Sequence, residues 1–428
     1  MRIRLAFIGC RLNISEIESL SRQFKQLGHY IVGAGESADL CIFNSCAVTH
    51  IAARTSRQNI RRLKRTNPYA KIVVTGCYAE LSPQEVAALE VDLVLGNDKK
   101  EQLIEHLIEH NLLFDDDTIS RHDDSLPSSN TRTRAFVKVQ DGCDNRCTFC
   151  IVTMLRGVGR SRPIPDIVSE IQSLVGMGYK EVVLTGVHLG SFGNIRQGLK
   201  NLVMAILKDT DLPRLRLSSL EPWDLTPDFF ELWQNPRLGC HLHLPLQSGC
   251  EATLKRMARR TTQAEYSNLL EIARQAIPHV SITTDLIVGF PGETDAEFEE
   301  SYAFVDKMAF SDTHIFRFSP REGTVAYKMK GHVPHHIVKK RSEVLHELSA
   351  KHAKNFRKSL IGQTSYVLWE QHEETPNGKV WSGLSDNYVR VYVFSDLNLR
   401  NHITNIRLTH LLPDALGGIL NGHETTLS

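Results

Sequence analysis

Asp141-Gly-Cys143-Asp-Asn-Arg-Cys147-Thr-Phe-Cys150, running on to Arg156-Gly-Val-Gly-Arg-Ser-Arg162, is the stretch whose reading decides the fold. Its three cysteines stand at the spacing C-x3-C-x2-C. A strand-like run over residues 135–140 leads into them, and the absence of periodicity across them predicts a loop. Three thiolates that close together suit a metal centre, because soft sulfur selects zinc or iron–sulfur clusters. Structural zinc wants four closed ligands, and no fourth Cys or His lies within twenty residues of the three. A cubane held by three cysteines keeps one iron open to a further ligand. Zinc completed from elsewhere in the chain remains the alternative.

Working outward toward the N-terminus, strands and helices alternate. Residues 3–8, 40–43, 71–75 and 91–95 read as strands, and 15–27, 52–65 and 83–89 as helices. That alternation predicts a parallel sheet with helices on its faces, where ligands gather beyond the carboxyl ends of the strands. Cys10, Cys46 and Cys77 fall at three such ends, which points to a second three-thiolate site. Cys41 lies inside a strand and reads as a small core hydrophobe, as do Cys240 and Cys250 further on.

Residues 114–134 are polar and aperiodic, with Asp115-Asp-Asp and Ser128-Ser-Asn, and read as a linker. From 135 to about 330 six strand candidates (135–140, 181–184, 215–218, 240–244, 281–288 and 314–317) alternate with helices, predicting an incomplete (β/α)6 barrel. The loops after its strands carry the remaining chemistry. Gly186, Gly289 and Gly292 let backbone approach a ligand closely, and Ser219 and Glu221 offer groups for ribose hydroxyls. Residues 358–428 alternate like short antiparallel strands, with Asn377-Gly as a turn signal, and fit a small β-barrel. The expected units are therefore 1–113, the linker 114–134, 135–357 and 358–428.

Charged residues make up 23% and hydrophobic residues 41% of the 428 positions, the balance of an ordinary globular protein. No apolar run reaches membrane-span length, and Met1-Arg-Ile-Arg leads into a strand without a signal-peptide pattern, so a cytoplasmic location is expected. Nine cysteines in that setting suggest reduced thiols and metal ligation. Net charge is only +1, but residues 54–71 carry seven basic residues and no acid, and 328–358 nine against two. Two such runs favour a polyanionic partner. Residues 359–428 hold four basic residues against seven acids, so the small barrel is no electrostatic trap by itself.

The cysteine spacing resembles the radical S-adenosylmethionine (SAM) superfamily, and the chain is similar over nearly its whole length to the methylthiotransferases within it. Gly9-Cys10, Asn44-Ser-Cys46-Ala-Val-Thr and Val73-Val-Thr-Gly-Cys77-Tyr resemble the signatures of that family's N-terminal domain, and Arg156-Gly157 its Arg-Gly. Ala47-Val-Thr-His, Arg216-Leu-Ser-Ser-Leu-Glu-Pro and Asp386-Asn-Tyr-Val-Arg-Val-Tyr look like the branch acting on N6-threonylcarbamoyladenosine, the MtaB type. The other branches act on isopentenyladenosine in tRNA or on a ribosomal-protein aspartate.

The resemblance implies two 4Fe-4S clusters, one on Cys143, Cys147 and Cys150 that cleaves SAM, the other on Cys10, Cys46 and Cys77 with an open iron that can carry sulfur. It implies SAM as methyl donor and radical source, a tRNA anticodon stem-loop as partner, and a low-potential electron donor such as flavodoxin or ferredoxin. The C-terminal unit resembles an RNA-binding TRAM domain. Val152-Thr-Met stands where relatives often have Ile-Pro-Tyr, and Arg11-Leu-Asn-Ile after Cys10 diverges most.

Overall fold

The computed structural model describes residues 1–113, 133–194, 197–376 and 378–421. The expected linker therefore lies, for residues 114–132, outside the described residues, as does Asn377 of the expected turn.

In the N-terminal unit β1 (Arg2–Phe7), β2 (Tyr30–Ile31), β3 (Leu40–Ser45), β4 (Lys71–Gly76) and β5 (Leu93–Val94) form a parallel sheet in the order β2-β1-β3-β4-β5. Every residue of β3 is buried, as a central parallel strand covered on both faces requires. Leu40 and Ile42 pack with Ile17, Leu20 and Phe24 of α1 (Arg11–Gln26). Cys41 and Phe43 face the other way, against Ala53, Ile60 and Leu63 of α2 (His50–Thr66), so Cys41 is the core residue expected. The helix read over 83–89 is α4 (Pro83–Ala87), and a further short helix that the sequence reading lacked, α3 (Cys77–Leu81), precedes it. Pro83 has no N–H to continue the first helix and instead opens the second. The short α5 (Leu103–Glu109) completes the α1 face.

The central unit runs β6 (Arg134–Lys138), β7 (Gln140–Asp141), α6 (Val152–Arg156), β8 (Arg160–Ser161), α7 (Ile164–Gly176), β9 (Glu181–Thr185), α8 (Gly198–Asp209) and β10 (Arg214–Leu217). It continues through β11 (His241–His243), α9 (Glu251–Arg256), α10 (Gln263–Ala276), β12 (Ser281–Val288), α11 (Asp295–Met308), β13 (Asp312–Arg317) and α12 (His335–Ser359). Two parallel three-stranded sheets, β6-β9-β10 and β11-β12-β13, are joined by bridges such as Ser219 to His243 into one curved wall. Alternation along each strand divides its side chains: Leu215, Leu217, Leu242, Ile282 and Leu286 pack outward under the helices, while Arg214, Arg216, His241, His243, Thr283 and Asp285 line the lumen. The wall stays open between β6 and β13, and α1 lies against β6, where Glu18 accepts from the Phe136 N–H at 3.2 Å.

The C-terminal barrel, β14 (Thr364–Thr375), β15 (Gly378–Ser385), β16 (Arg390–Phe394), β17 (Ile403–Leu411) and β18 (Leu416–Leu420), closes in the order β14-β15-β16-β18-β17. Trp369 and Trp381 fill its core, each indole N–H finding an oxygen, at Thr404 and at the Ser395 carbonyl. The expected all-antiparallel order is corrected at one pair, β16 with β18, which run parallel. The last strand escaped the sequence reading because Gly417 and Gly418 depress strand propensity; a Cβ on Gly417 would sit 2.1 Å from the His410 ring, so close packing demands the glycine.

The small barrel docks under the lumen. Arg214 donates to the carbonyls of Leu384 and Tyr366, and Arg216 to those of Ser385 (2.6 Å) and Asp386 (2.7 Å). Between these arginines stands Tyr388, held at φ +70°, a costly conformation for a bulky residue. Arg216 stacks on its ring at 4.5 Å, Arg134 at 5.6 Å and Arg11 at 5.4 Å. Glu181, fully buried, balances the floor through Arg134, Arg214 and Arg216.

Candidate metal and substrate site

The Cys143–Cys150 loop rises from β7 and is closed at its base by pairing of Gln140 with Ser161 and Asp141 with Arg160. Gly142, at φ +73°, permits the turn; a Cβ there would meet the Val158 carbonyl at 2.0 Å. All three cysteines are partly exposed. The Asn145 N–H points at the Cys143 sulfur at 3.4 Å, and Arg259 reaches the Cys147 sulfur at 3.7 Å while paired to Glu221 at 2.6 Å. Burial pushes the Cys150 thiol up to about 12, so a metal must displace a tightly held proton there. His188 lies beside Cys143 and 2.5 Å from Asp224; burial works against its charge, yet both partners outweigh it and hold the imidazole at about 10.

The other triad forms where expected. Cys10 caps the start of α1 after β1, Cys46 follows β3, and Cys77 opens α3 after β4, three adjacent strand ends. Cys46 and Cys77 are buried and Cys10 is exposed. Gly9, at φ +110°, approaches so closely that a Cβ would lie 2.9 Å from the Cys46 sulfur. Asn13 and Asn97 stand 3.8 Å from the sulfurs of Cys10 and Cys77.

The chain that follows Cys150 packs against the N-terminal unit that carries the other triad. Ile151 and Leu155, which follow Cys150, pack in the N-terminal core beside Cys77, and Asn97 donates to the Leu155 carbonyl at 2.8 Å. Arg156 is bonded to Glu16 (2.9 Å), Asp141 (3.0 Å) and Asn13 (3.1 Å), and Glu16 also holds the buried Lys100 at 2.8 Å. Arg321, buried with an unpartnered Nε, lies near enough to Cys46 to feel its charge. Cations placed beside thiols favour thiolates. Among the described residues neither triad has its three sulfurs mutually within 4.8 Å, whereas tetrahedral zinc holds sulfurs about 3.8 Å apart. That spacing is too wide for a single zinc ion, and an all-thiolate donor set suits an iron–sulfur cluster.

Of the other expected site residues, Gly186 ends β9 against Gln140, and Ser219 and Glu221 follow β10 at the mouth. Gly289 and Gly292 have positive φ; the first packs against Val338 of α12 and the second donates its N–H to the Gly331 carbonyl, so chain geometry alone already demands them. Cys240 and Cys250 have no thiol partner at the site. The sequence reading missed Arg259, His188, Asp224 and Arg156 in these roles. It also missed a lumen set, His243, Asp285 and His314, whose ligating atoms lie within 4.8 Å of one another. A signal was present, since polar residues alternate with leucines in His241-Leu-His243.

The basic runs divide. On α2, Arg57 pairs with Glu85 and Lys64 with Glu90, while Arg54, Arg61, Arg62 and Arg65 are exposed beside the fully open Tyr69. On α12, Arg341 is buried against Glu293 and Asp295, and Lys339 and Lys351 have acidic neighbours. Among the described residues no helix is long and apolar enough to cross a membrane.

Comparison with known proteins matches residues 2–96 to an uncharacterized protein family, UPF0004, and 137–305 to the radical SAM superfamily. The threonylcarbamoyladenosine tRNA methylthiotransferase MtaB of Thermotoga maritima is 38% identical, over 91% of this chain and 90% of its own. The Bacillus subtilis protein of the same name is 34% identical over 94% and 92%. A tRNA-2-methylthio-N(6)-dimethylallyladenosine synthase of Thermodesulfovibrio yellowstonii is 31% identical over 96% of each. Among solved structures, the radical SAM methyltransferase TsrM of Kitasatospora setae superposes with a TM-score of 0.55 at 15% identity, over 74% of this chain and 72% of that one, a likeness of fold.

Proposed function

This chain belongs to the radical SAM methylthiotransferases, and we propose that within that family it inserts a methylthio group at C2 of N6-threonylcarbamoyladenosine at position 37 of tRNA. It is an enzyme of that class, with SAM and a 4Fe-4S cluster as its family's cofactors. The observation that carries the fuller reading is the pair of cysteine triads with Arg156 bonded beside each, to Asn13 near Cys10 and to Asp141 near Cys143. Bound there, two clusters and SAM supply the radical, the sulfur and the methyl group.

The chain's own residues do the holding. Cys143, Cys147 and Cys150 hold one cluster, with Arg259 and the Asn145 N–H turned toward their sulfurs. Cys10, Cys46 and Cys77 hold the second, with Asn13, Asn97 and Arg321 around them. Gly186, Ser219, Glu221, Gly289 and Gly292 form the rim that takes SAM; Glu221 keeps lone pairs for ribose hydroxyls beyond those Arg259 uses. The exposed arginines of α2 take the phosphates of an anticodon stem-loop, and the C-terminal barrel serves as a TRAM-like RNA-binding unit. A low-potential donor such as flavodoxin or ferredoxin supplies electrons, and the reaction takes place in the cytoplasm with its tRNA.

Mass spectrometry of tRNA nucleosides tests this. Cells lacking the chain should lose 2-methylthio-N6-threonylcarbamoyladenosine and keep its unmethylthiolated parent. Loss of the 2-methylthio isopentenyl nucleoside instead would move the substrate to the second branch, which relatives at 31–36% identity represent. An unchanged tRNA profile with a ribosomal-protein aspartate left unmodified would move it to the third.

A further inference from the structure

We propose that Arg11 and His314 form an anion subsite deep in the barrel lumen that receives the carboxylate at the far end of the substrate's N6 side group, and so separates a threonylcarbamoyl from an isopentenyl substituent. This rests on the function proposed above and goes further by assigning a specificity element.

The lumen offers the subsite in layers. At the floor His241 stacks on Tyr388 at 4.9 Å, and Arg11 lies over the same ring. Arg11 comes from the first turn of α1, entering where the wall is open between β6 and β13. One rung above the pair His243–Thr283, Asp285 of β12 is in register with His314 of β13. Asp285 accepts from both imidazoles, His314 Nδ1 at 3.1 Å and His243 Nε2 at 3.3 Å, while His243 Nδ1 meets Thr283 at 2.9 Å. The nitrogens of His243 are thereby both engaged. His314, half-exposed, spends Nδ1 on Asp285, and among the described residues its Nε2 has no partner.

Charge decides what such a place attracts. The hydrogen bond that His314 donates to Asp285 raises the His314 pKa above its ordinary value, biasing the ring toward a second N–H that faces the lumen. Among the described residues Arg11 has no carboxylate partner; its charge instead acts unfavourably on both His314 and His241. Two like-charged donors facing one space repel each other until an anion lies between them. A carboxylate accepts from both, in charge-assisted bonds that an apolar prenyl group cannot make. An apolar substituent there would leave Arg11 and His314 desolvated and unpaired, which adds rejection to recognition. A divalent cation on His243, Asp285 and His314 is the competing occupant by donor type, and the neighbouring Arg11 disfavours it.

The test uses the reconstituted full-length enzyme and two stem-loop RNAs, one carrying N6-threonylcarbamoyladenosine and one in which the threonyl carboxylate is a neutral carboxamide. Wild type should prefer the carboxylate RNA. Arg11→Gln should raise KM for that RNA about ten- to a hundred-fold, leave KM for the carboxamide RNA near the wild-type value, and retain iron and SAM cleavage. Arg11→Lys should restore most of the preference. His314→Gln, far in sequence from any cysteine, should erode the same preference and decides the matter if Arg11→Gln loses iron. Wild-type discrimination in both glutamine variants overturns the subsite while leaving the proposed function intact. A stoichiometric extra divalent metal that His314→Gln removes, with discrimination unchanged, also overturns it. Failure of iron-loaded wild type to methylthiolate either RNA would sink the functional reading and the subsite together.

Discussion

Arg156 is the residue on which both triads lean, and its partner Glu16 shows how the balance is struck. Burial alone would raise the Glu16 carboxyl, but Lys100, Arg156 and Lys138 reverse the sign and hold it far below the usual range. A depressed carboxylate contributes stability in full above its unfolded pKa of about 4.3 and loses it as pH falls toward the folded value. Glu16→Gln should therefore cost about 3–5 kcal/mol at pH 7, because it strands the buried Lys100 and takes away one of the two carboxylates that hold Arg156. Chemical unfolding of the metal-free protein should show that gap narrowing below about pH 4; an equal gap at both pH values would contradict the assignment. The cysteines behave differently. Cys10 is exposed, so Cys10→Ala should change stability by less than about 1 kcal/mol, yet remove the second cluster and stop sulfur insertion. Cys147→Ala should abolish formation of 5′-deoxyadenosine. Full iron with full activity in Cys10→Ala would show that it is not a ligand. The cysteines were legible in the sequence because chemistry restricts the residue type and the strand ends fix the place. Glu16 and Arg156 were not, since they stand 140 positions apart and an ion pair leaves no local pattern.

Helix α2 shows what a charge run does and does not reveal. Thr49 caps it, and Ala53, Ser56, Ile60 and Leu63 bury one stripe, so its existence follows from spacing alone. Which of its cations are free does not, because Glu85 and Glu90, which occupy Arg57 and Lys64, come from beyond β4. Neutralising Arg61, Arg62 and Arg65 together should lower the slope of log affinity for tRNA against log salt by roughly two to three units. The same change at Lys339 and Lys351 of α12, each already beside an acid, should move it less. Equal slopes for wild type and the α2 variant would leave that helix as an ordinary solvated face.

At the scale of the whole molecule, the three units are fastened rather than strung. The small barrel was legible as a barrel from its alternation, but its docking was not: much of it is made by main-chain carbonyls at Tyr366, Leu384, Ser385 and Asp386, which carry no side-chain signature. Arg216→Ala should leave two of these carbonyls without their donor and cost about 2–4 kcal/mol. Calorimetry should then resolve a separate, earlier transition for the C-terminal barrel; a single transition at the wild-type temperature would show that the docking is loose.

The sealed floor has a kinetic consequence. With Glu181, Arg214 and Arg216 buried, Arg134 largely so and Tyr388 wedged among the arginines, the docked barrel covers the floor of the lumen on that side. For a substrate that enters and leaves past the cysteine loop, rather than through the gap between β6 and β13, occupancy follows the rule of a narrow alley: last in, first out. A nucleoside reaching the depth of Asp285 has to arrive before the mouth is filled and cannot depart until it clears. Turnover is then compulsorily ordered, and a non-reactive cofactor analogue lodged at the mouth imprisons the nucleoside already inside. Against the RNA such an analogue inhibits uncompetitively, growing more effective as substrate accumulates.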